Sequence, residues 1–267
     1  MIVVGELINS TRKKIREAME GRDSQYLADL AKKQDEAGSD FIDVNAGAFV
    51  DDEIEMLEWA IKEIQKVTQK PLAIDSPRGK AIEAGLKLHK NGKPMINSIT
   101  KESERWKEIF PLAVESESYI LGLCIDNNGI PDSADDRARI AESIINDLIK
   151  AGKPLDDIAI DPLTTPLSVN TGYGIVVTDT VRIIKERFPE VKLITGLSNI
   201  SYGLPARRQV NRAFVVICMA HGLDGALIDP LDRTMMSTIR ATEALLNRDP
   251  FCANYLKAFR RGLIAKE

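Results

Sequence analysis

The sequence predicts an α/β fold, a single-domain (β/α)8 barrel, on three observations. Short β-type runs alternate with longer amphipathic runs along the whole chain. Eight such pairs fit within 267 residues, close to the roughly 250 residues this barrel needs. The rival doubly wound open sheet is expected to carry a glycine-rich phosphate loop after an early strand, and "GELINSTRK" has no such pattern. No Pro-, Gly- or Ser-rich linker and no shift of composition divides residues 1–267, so they read as one domain.

The elements follow in order. The first strand is expected at 2–7, where Ile, Val and Leu crowd together, and a helical pattern at 24–37 separates it from the second, 41–44. The helix at 51–68 is the clearest, because Ile54, Leu57, Ile61, Ile64 and Val67 recur at helical spacing behind acidic residues in the first turn. Strand 72–74 precedes helix 78–89, strand 95–96 precedes helix 102–114, and strand 119–125 precedes helix 134–150. After strand 158–160 comes the longest connection, "PLTTPLSVNTGYG" at 162–174, expected to serve as an active-site loop before helix 178–187. Strands 193–195 and 226–228 lead to helices 207–220 and 235–247. A last helical segment, 251–261, carries Phe251, Tyr255, Leu256 and Phe259, which either close the barrel or form the interface of an expected homodimer.

Composition excludes several function classes. A net charge of −4 argues against a nucleic-acid partner, and the clusters Arg12-Lys13-Lys14 and Arg260-Arg261 read as solvated charge at helix ends. The N-terminal apolar run is too short for a signal peptide, and no stretch approaches the roughly 18 apolar residues of a membrane span. Cys124, Cys218 and Cys252 are odd in number and far apart, which points to reduced thiols in a cytoplasmic compartment and not to zinc. His89 and His221 fall in or beside helix patterns, so no protein-bound metal is expected.

Function is read from the strand ends. In chain order they offer Glu6 and Asn9, Asp43 and Asn45, Asp75, Asn97, Asp126, Asp161, Ser198 and Asn199, and Asp229. Any one of these is accounted for by a turn or a helix cap. Eight in succession would converge on one barrel mouth, where active sites of this fold lie. Cations near the mouth are limited to Arg207, Arg208 and Arg212, and no lysine is expected at a strand end as a Schiff-base group. Carboxylates and carboxamides suit a flat heterocycle with several N–H donors, such as a pterin, because Asp accepts two hydrogen bonds and Asn both donates and accepts.

The motifs "GELIN" (5–9), "DVNAG" (43–47), "AIDS" (73–76), "MINS" (95–98), "AIDPL" (159–163) and "GLSNIS" (196–201) resemble the pterin-binding methyltransferases. The likeness covers nearly the whole chain and is strongest to the enzymes serving the corrinoid iron–sulfur protein, with the folate domain of cobalamin-dependent methionine synthase more distant. The resemblance implies a barrel of the pterin-binding type that moves a methyl group between N5 of tetrahydrofolate (5-methyltetrahydrofolate when methylated) and the cobalt of a corrinoid on a partner protein. It implies that Asp75, Asn97 and Asp161 hold the pterin edge, that Gly196 and Ser198 let the ring approach, and that Asn199 reaches N5. Glu6, Asn9, Asp43, Asn45, Arg207 and Asn211 are expected in support. Dihydropteroate synthase is similar at Asn9, Asp75, Asn97 and Asp161, but its Ser-Arg-Lys run at the seventh strand is Ser198-Asn199-Ile200 here. A non-catalytic folate binder is the other alternative. The direction of transfer stays open, with demethylation slightly favoured because the 202–208 loop departs from the acetogen pattern.

Overall fold

The computed structural model describes residues 1–265. Eight strands, β1 (Ile2–Asn9), β2 (Phe41–Asn45), β3 (Leu72–Asp75), β4 (Met95–Lys101), β5 (Tyr119–Asp126), β6 (Ile158–Asp161), β7 (Lys192–Gly196) and β8 (Gly225–Ile228), pair in sequence order. Every pair is parallel, and β1 closes the ring on β8 with Ile2 opposite Gly225. The surrounding helices are α1 (Lys13–Glu20), α2 (Ser24–Ala37), α3 (Glu53–Ile64), α4 (Gly79–Leu88), α5 (Ser103–Glu115), α6 (Ala134–Lys150), α7 (Tyr173–Arg187), α8 (Arg207–His221), α9 (Arg233–Leu245) and α10 (Ala253–Arg260).

Strand periodicity places the candidate site. Successive side chains alternate between the barrel interior and the helix layer. Residues such as Ile42, Ile74, Ile96 and Ile160 join the main apolar layer, while Val4, Phe41, Ala73, Met95, Leu121, Ala159 and Ile194 form a separate cluster. Two residues beyond members of that second cluster stand Glu6, Asp43, Asp75, Asn97, Asp161 and Gly196. On these six strands the inward file is thus apolar toward the N-terminal end and polar or small toward the C-terminal end. On β5 the file continues from Leu121 to Leu123, and Asp126 lies an odd number of positions on, out of step with the ring. Its carboxylate accepts the Asn128 amide at 2.8 Å and so shapes a turn.

Several expected bounds shift. Helix α1 is not among the expected elements, although its three buried residues, Ile15, Ala18 and Met19, stand at helical spacing in an otherwise charged stretch. Helix α3 is shorter than expected, 53–64, and α7 begins at Tyr173, five residues early, where Gly172 and Gly174 obscure the pattern. Strand β4 runs on to Lys101, so one lysine does end a strand, contrary to expectation. Its ammonium pairs with Asp147 and lies 3.5 Å from the Trp106 ring centroid, already engaged. The expected helix 251–261 opens as a 3-10 turn, Pro250–Cys252, in which Phe251 and Cys252 take φ of 58° and 53°. That geometry leaves Phe251 98 % exposed, with Phe259 also exposed, so these rings do not close the barrel.

Cys124 and Cys218 are buried free thiols and Cys252 is an exposed one. Among the described residues no helix is long and apolar enough to cross a membrane.

Close packing of helix on strand gives a first expectation. A Cβ on Gly85 of α4 would fall 2.7 Å from Ile74 Cγ2 and 3.2 Å from Ile61 Cδ1. Gly85→Ala therefore overpacks the layer at a cost of about 1–3 kcal/mol, more than the roughly 1 kcal/mol alanine adds in helix propensity. A lowered melting temperature is expected, and one at or above wild type would show that α4 can ride outward freely.

Candidate active site

At the C-terminal ends of the strands lies an open cleft of about 590 Å³. Glu6 and Asn9 from β1, Asp43 from β2 and Asp75 from β3 line one side. Gly196, Ser198 and Asn199 follow β7, and Arg207 and Asn211 come from α8. Asp229 after β8 also lines the cleft while its Oδ1 accepts the Leu231 amide at 2.8 Å, so it is both a wall and a cap.

Three expected members stand one side chain back from this lining. Asn97 is buried and its Nδ2 donates to Asp43 Oδ1 at 3.0 Å. Asn45 stands beside Asp75, where its amide lowers that carboxyl's pKa, and its own Oδ1 accepts the Gly47 amide at 3.0 Å. Asp161 is buried, and its Oδ1 takes the Leu163 amide at 2.8 Å and the Thr195 hydroxyl at 2.6 Å. Asp161 Oδ2 has only a long contact from the Gly196 amide, 3.4 Å. The expected ring is therefore a crescent of cleft residues with a second tier behind it.

Burial shapes the electrostatics. Desolvation raises Glu6 to about 6 against the pull of the Arg12 guanidinium, which meets its carboxylate at 3.0 Å. Desolvation likewise raises Asp75 to about 6, with the Asn45 amide and Arg105 opposing it. Asp43 rises well above the usual carboxylate range through burial and the neighbouring Asp75. The same desolvation raises Asp161. These acids hold protons unusually late and accept hydrogen bonds from N–H groups that enter beside them.

Asn199 sits on a 3-10 turn, Leu197–Ser201, that β7 feeds directly. Arg207 staples this turn: its Nη2 donates to Ser198 O at 2.7 Å and its Nε to Ser201 Oγ at 3.0 Å. Asn211 Nδ2 donates to Ser198 Oγ at 3.4 Å, and its buried Oδ1 has no partner. Of the arginines near the mouth, Arg207 and Arg208 line the cleft, whereas Arg212 is bound at 3.0 and 3.1 Å to both oxygens of Asp232.

Sequence reasoning misses Arg12, Asp232 and Met235, which also line the cleft. Arg12 reads as surface charge ahead of a helix. Its place one turn beyond Asn9 is the available signal.

Residues 5–229 match the family described as pterin binding enzyme. The chain belongs to that family. Within it, the chain is 34% identical over 267 residues to the methylcorrinoid:tetrahydrofolate methyltransferase of Eubacterium limosum, covering 99% of this chain and 98% of that protein. It is 32% identical over 243 residues to the methionine synthase of Mycobacterium tuberculosis (strain ATCC 25618 / H37Rv), covering 85% of this chain but only 20% of that longer protein. Among solved structures, dihydropteroate synthase from Xanthomonas albilineans in complex with 7,8-dihydropteroate superposes with a TM-score of 0.67 at 15% identity, covering 93% of this chain and 92% of that one. The dihydropteroate synthase of Thermus thermophilus gives a TM-score of 0.65 at 16% identity, covering 90% and 94%. Those two likenesses show the fold, a closed eight-stranded barrel.

A second expectation follows from the β7 end. A Cβ on Gly196 would fall 3.2 Å from Asn199 Nδ2, tighter than ordinary van der Waals contact. Gly196→Ala should displace that carboxamide and slow turnover about tenfold with little change in melting temperature. Unchanged turnover would mean that the amide has no fixed post.

Proposed function

We propose that this enzyme moves a methyl group from a corrinoid carried by a separate protein to N5 of tetrahydrofolate. The single observation that carries the proposal is the graded polarity of the cleft. Its recess is acidic and its rim is cationic: Asp43 is 1% exposed, whereas the Arg12 and Arg208 side chains are 44% and 75% exposed. A folate matches both ends, with N–H donors on its pterin edge and carboxylates on its glutamyl tail. The likeness to the Eubacterium limosum enzyme supports the same reading and its direction.

In this reading Asp75, Asn97 and Asp161 hold the pterin edge; Asp161 Oδ2, met by the protein only at 3.4 Å, and the unpartnered Asn211 Oδ1 are the acceptors with capacity to spare. The corrinoid supplies the methyl carbon as an electrophile, and the electron pair of the cobalt–carbon bond stays with the metal. N5 uses its lone pair to form the new bond and becomes positively charged, then loses its proton to water. Asn199 Oδ1 accepts the N5–H hydrogen bond, which strengthens as that charge develops. An amide is no strong base, so the carboxamide orients and stabilises but does not carry the proton away. By microscopic reversibility the reverse transfer needs N5 protonated, and the same hydrogen bond serves it.

Dihydropteroate synthesis is disfavoured at the same place. The β7 end offers a serine and a carboxamide, and two guanidinium nitrogens of Arg207 are spent on Ser198 O and Ser201 Oγ. Little is left there to grip a pyrophosphate.

The deciding experiment mixes the protein, tetrahydrofolate and a methylated corrinoid protein and follows the cobalt absorbance together with methyltetrahydrofolate. Folate binding without any spectral change over hours would leave a non-catalytic binder. We also propose a cytoplasmic homodimer whose interface includes Phe251, Tyr255, Leu256 and Phe259. A light-scattering mass equal to one chain would reject the dimer.

A further inference from the structure

Arg137 lies in the first turn of α6 and is wholly buried. Its Nε donates to Pro131 O at 2.8 Å, its Nη1 to Pro162 O at 3.1 Å and to Leu163 O, and its Nη2 to Thr165 Oγ1 at 3.2 Å. None of these four acceptors is a carboxylate. A buried cation solvated by neutral oxygens is a costly way to fill space, since an apolar side chain of similar volume would fill it without desolvating a charge. The guanidinium, however, meets two successive carbonyls of one turn through Nη1 and the turn's Thr165 hydroxyl through Nη2, which no apolar side chain does.

That turn follows β6. Leu163 takes φ +62°, a left-handed conformation disfavoured for a branched side chain, and it persists only where its surroundings hold it. In this shape the Leu163 amide returns to Asp161 Oδ1. Thr164 Oγ1 meets Thr195 Oγ1 at 2.9 Å, and Thr195 donates to the same carboxylate oxygen. One oxygen of Asp161 is thereby held by two short hydrogen bonds, and the other meets the protein only at 3.4 Å, from the Gly196 amide.

We propose that Arg137 is a positioning residue for the pterin: it locks the 162–165 turn so that Asp161 presents its weakly bonded oxygen to the ring. The proposal rests on the folate reading above. The fixed charge works in the same direction, because it opposes the burial that would otherwise keep Asp161 protonated. The other titratable group facing Asp161 is Cys124 on β5, a thiol that burial pushes far above its ordinary range and so keeps neutral.

Tetrahydrofolate is titrated into wild type, Asp161→Asn, Arg137→Gln and the double variant, with melting curves for each. Wild type binds, and both single variants bind about tenfold more weakly. The double variant binds no more weakly than Asp161→Asn alone, because Arg137 acts through that carboxylate. In Arg137→Gln the pH below which affinity is lost moves upward. Arg137→Gln binding like wild type while Asp161→Asn is impaired overturns the inference, as do fully additive losses. A wild type that ignores folate sinks the functional reading instead. If Arg137→Gln does not fold, Thr165→Val removes one acceptor and keeps the rest of the clamp. A few-fold weakening that disappears in the Asp161→Asn background upholds the proposal, and unchanged affinity overturns it.

Discussion

Asn199→Ala is expected to lower the methyl-transfer rate by about 10²- to 10³-fold while the tetrahydrofolate dissociation constant changes less than about threefold. The split follows from where the charge is. Free folate carries no charge at N5, so the carboxamide adds little to ground-state binding. As the methyl arrives, N5 turns cationic and the Oδ1 contact becomes charge-assisted, a stronger class of hydrogen bond. The turn that holds Asn199 is pinned by Arg207 and does not depend on the amide itself, so the variant should fold normally. Single-turnover kinetics separates the two quantities. A loss of affinity equal to the loss of rate would make Asn199 an ordinary binding group, and no loss of either would remove it from the site.

The second large effect is at Asp75, and it runs in opposite directions for binding and stability. Asp75→Asn trades an acceptor for a donor against the pterin N–H edge, so folate affinity should fall about 10- to 100-fold. The apo protein should nevertheless melt higher at pH 7.5. Burial raises the folded-state Asp75 from its ordinary 3.8 to about 6, so the native chain keeps a proton that the unfolded chain has released. Stability is therefore lost as pH rises from about 4 through about 6, and the penalty is complete above that window, worth about 3 kcal/mol. Asparagine removes it, an expected gain of several degrees in melting temperature that disappears near pH 4. Folate affinity of the wild type should in turn weaken below about pH 6, as the accepting carboxylate fills with a proton. A melting difference independent of pH would show that the carboxylate is not held against its charge.

The sequence carried the barrel because alternation of strand and helix patterns survives local ambiguity. It pointed to the candidate cleft because an aspartate or asparagine two positions past an apolar strand residue must share its face. Asp43, Asp75, Asn97 and Asp161 all obey that rule. Asp126 stands two past Cys124, whose file belongs to the outer apolar layer, and counting strand ends without their parity misplaces it. Arg12, Arg105 and Arg137 were not legible: each sits on a loop or a helix start, and what it touches is decided by tertiary packing. The division between cleft residues and the tier behind them was equally hidden, because Asn97 and Asp161 have the same local pattern as Asp43 and Asp75.

One consequence follows from the inward files described above. A residue inserted or deleted within β2, β3, β4 or β6 would swap its polar group for a hydrophobic neighbour and turn the acid outward among the helices. The groups proposed to grip the ring can therefore change only by substitution in place. Asn199 is mounted on a turn beyond its strand and escapes that discipline. Chemistry at the methyl-bearing nitrogen could thus be redesigned by exchanging a short segment, 197–201, while the grip on the heterocycle is inherited intact.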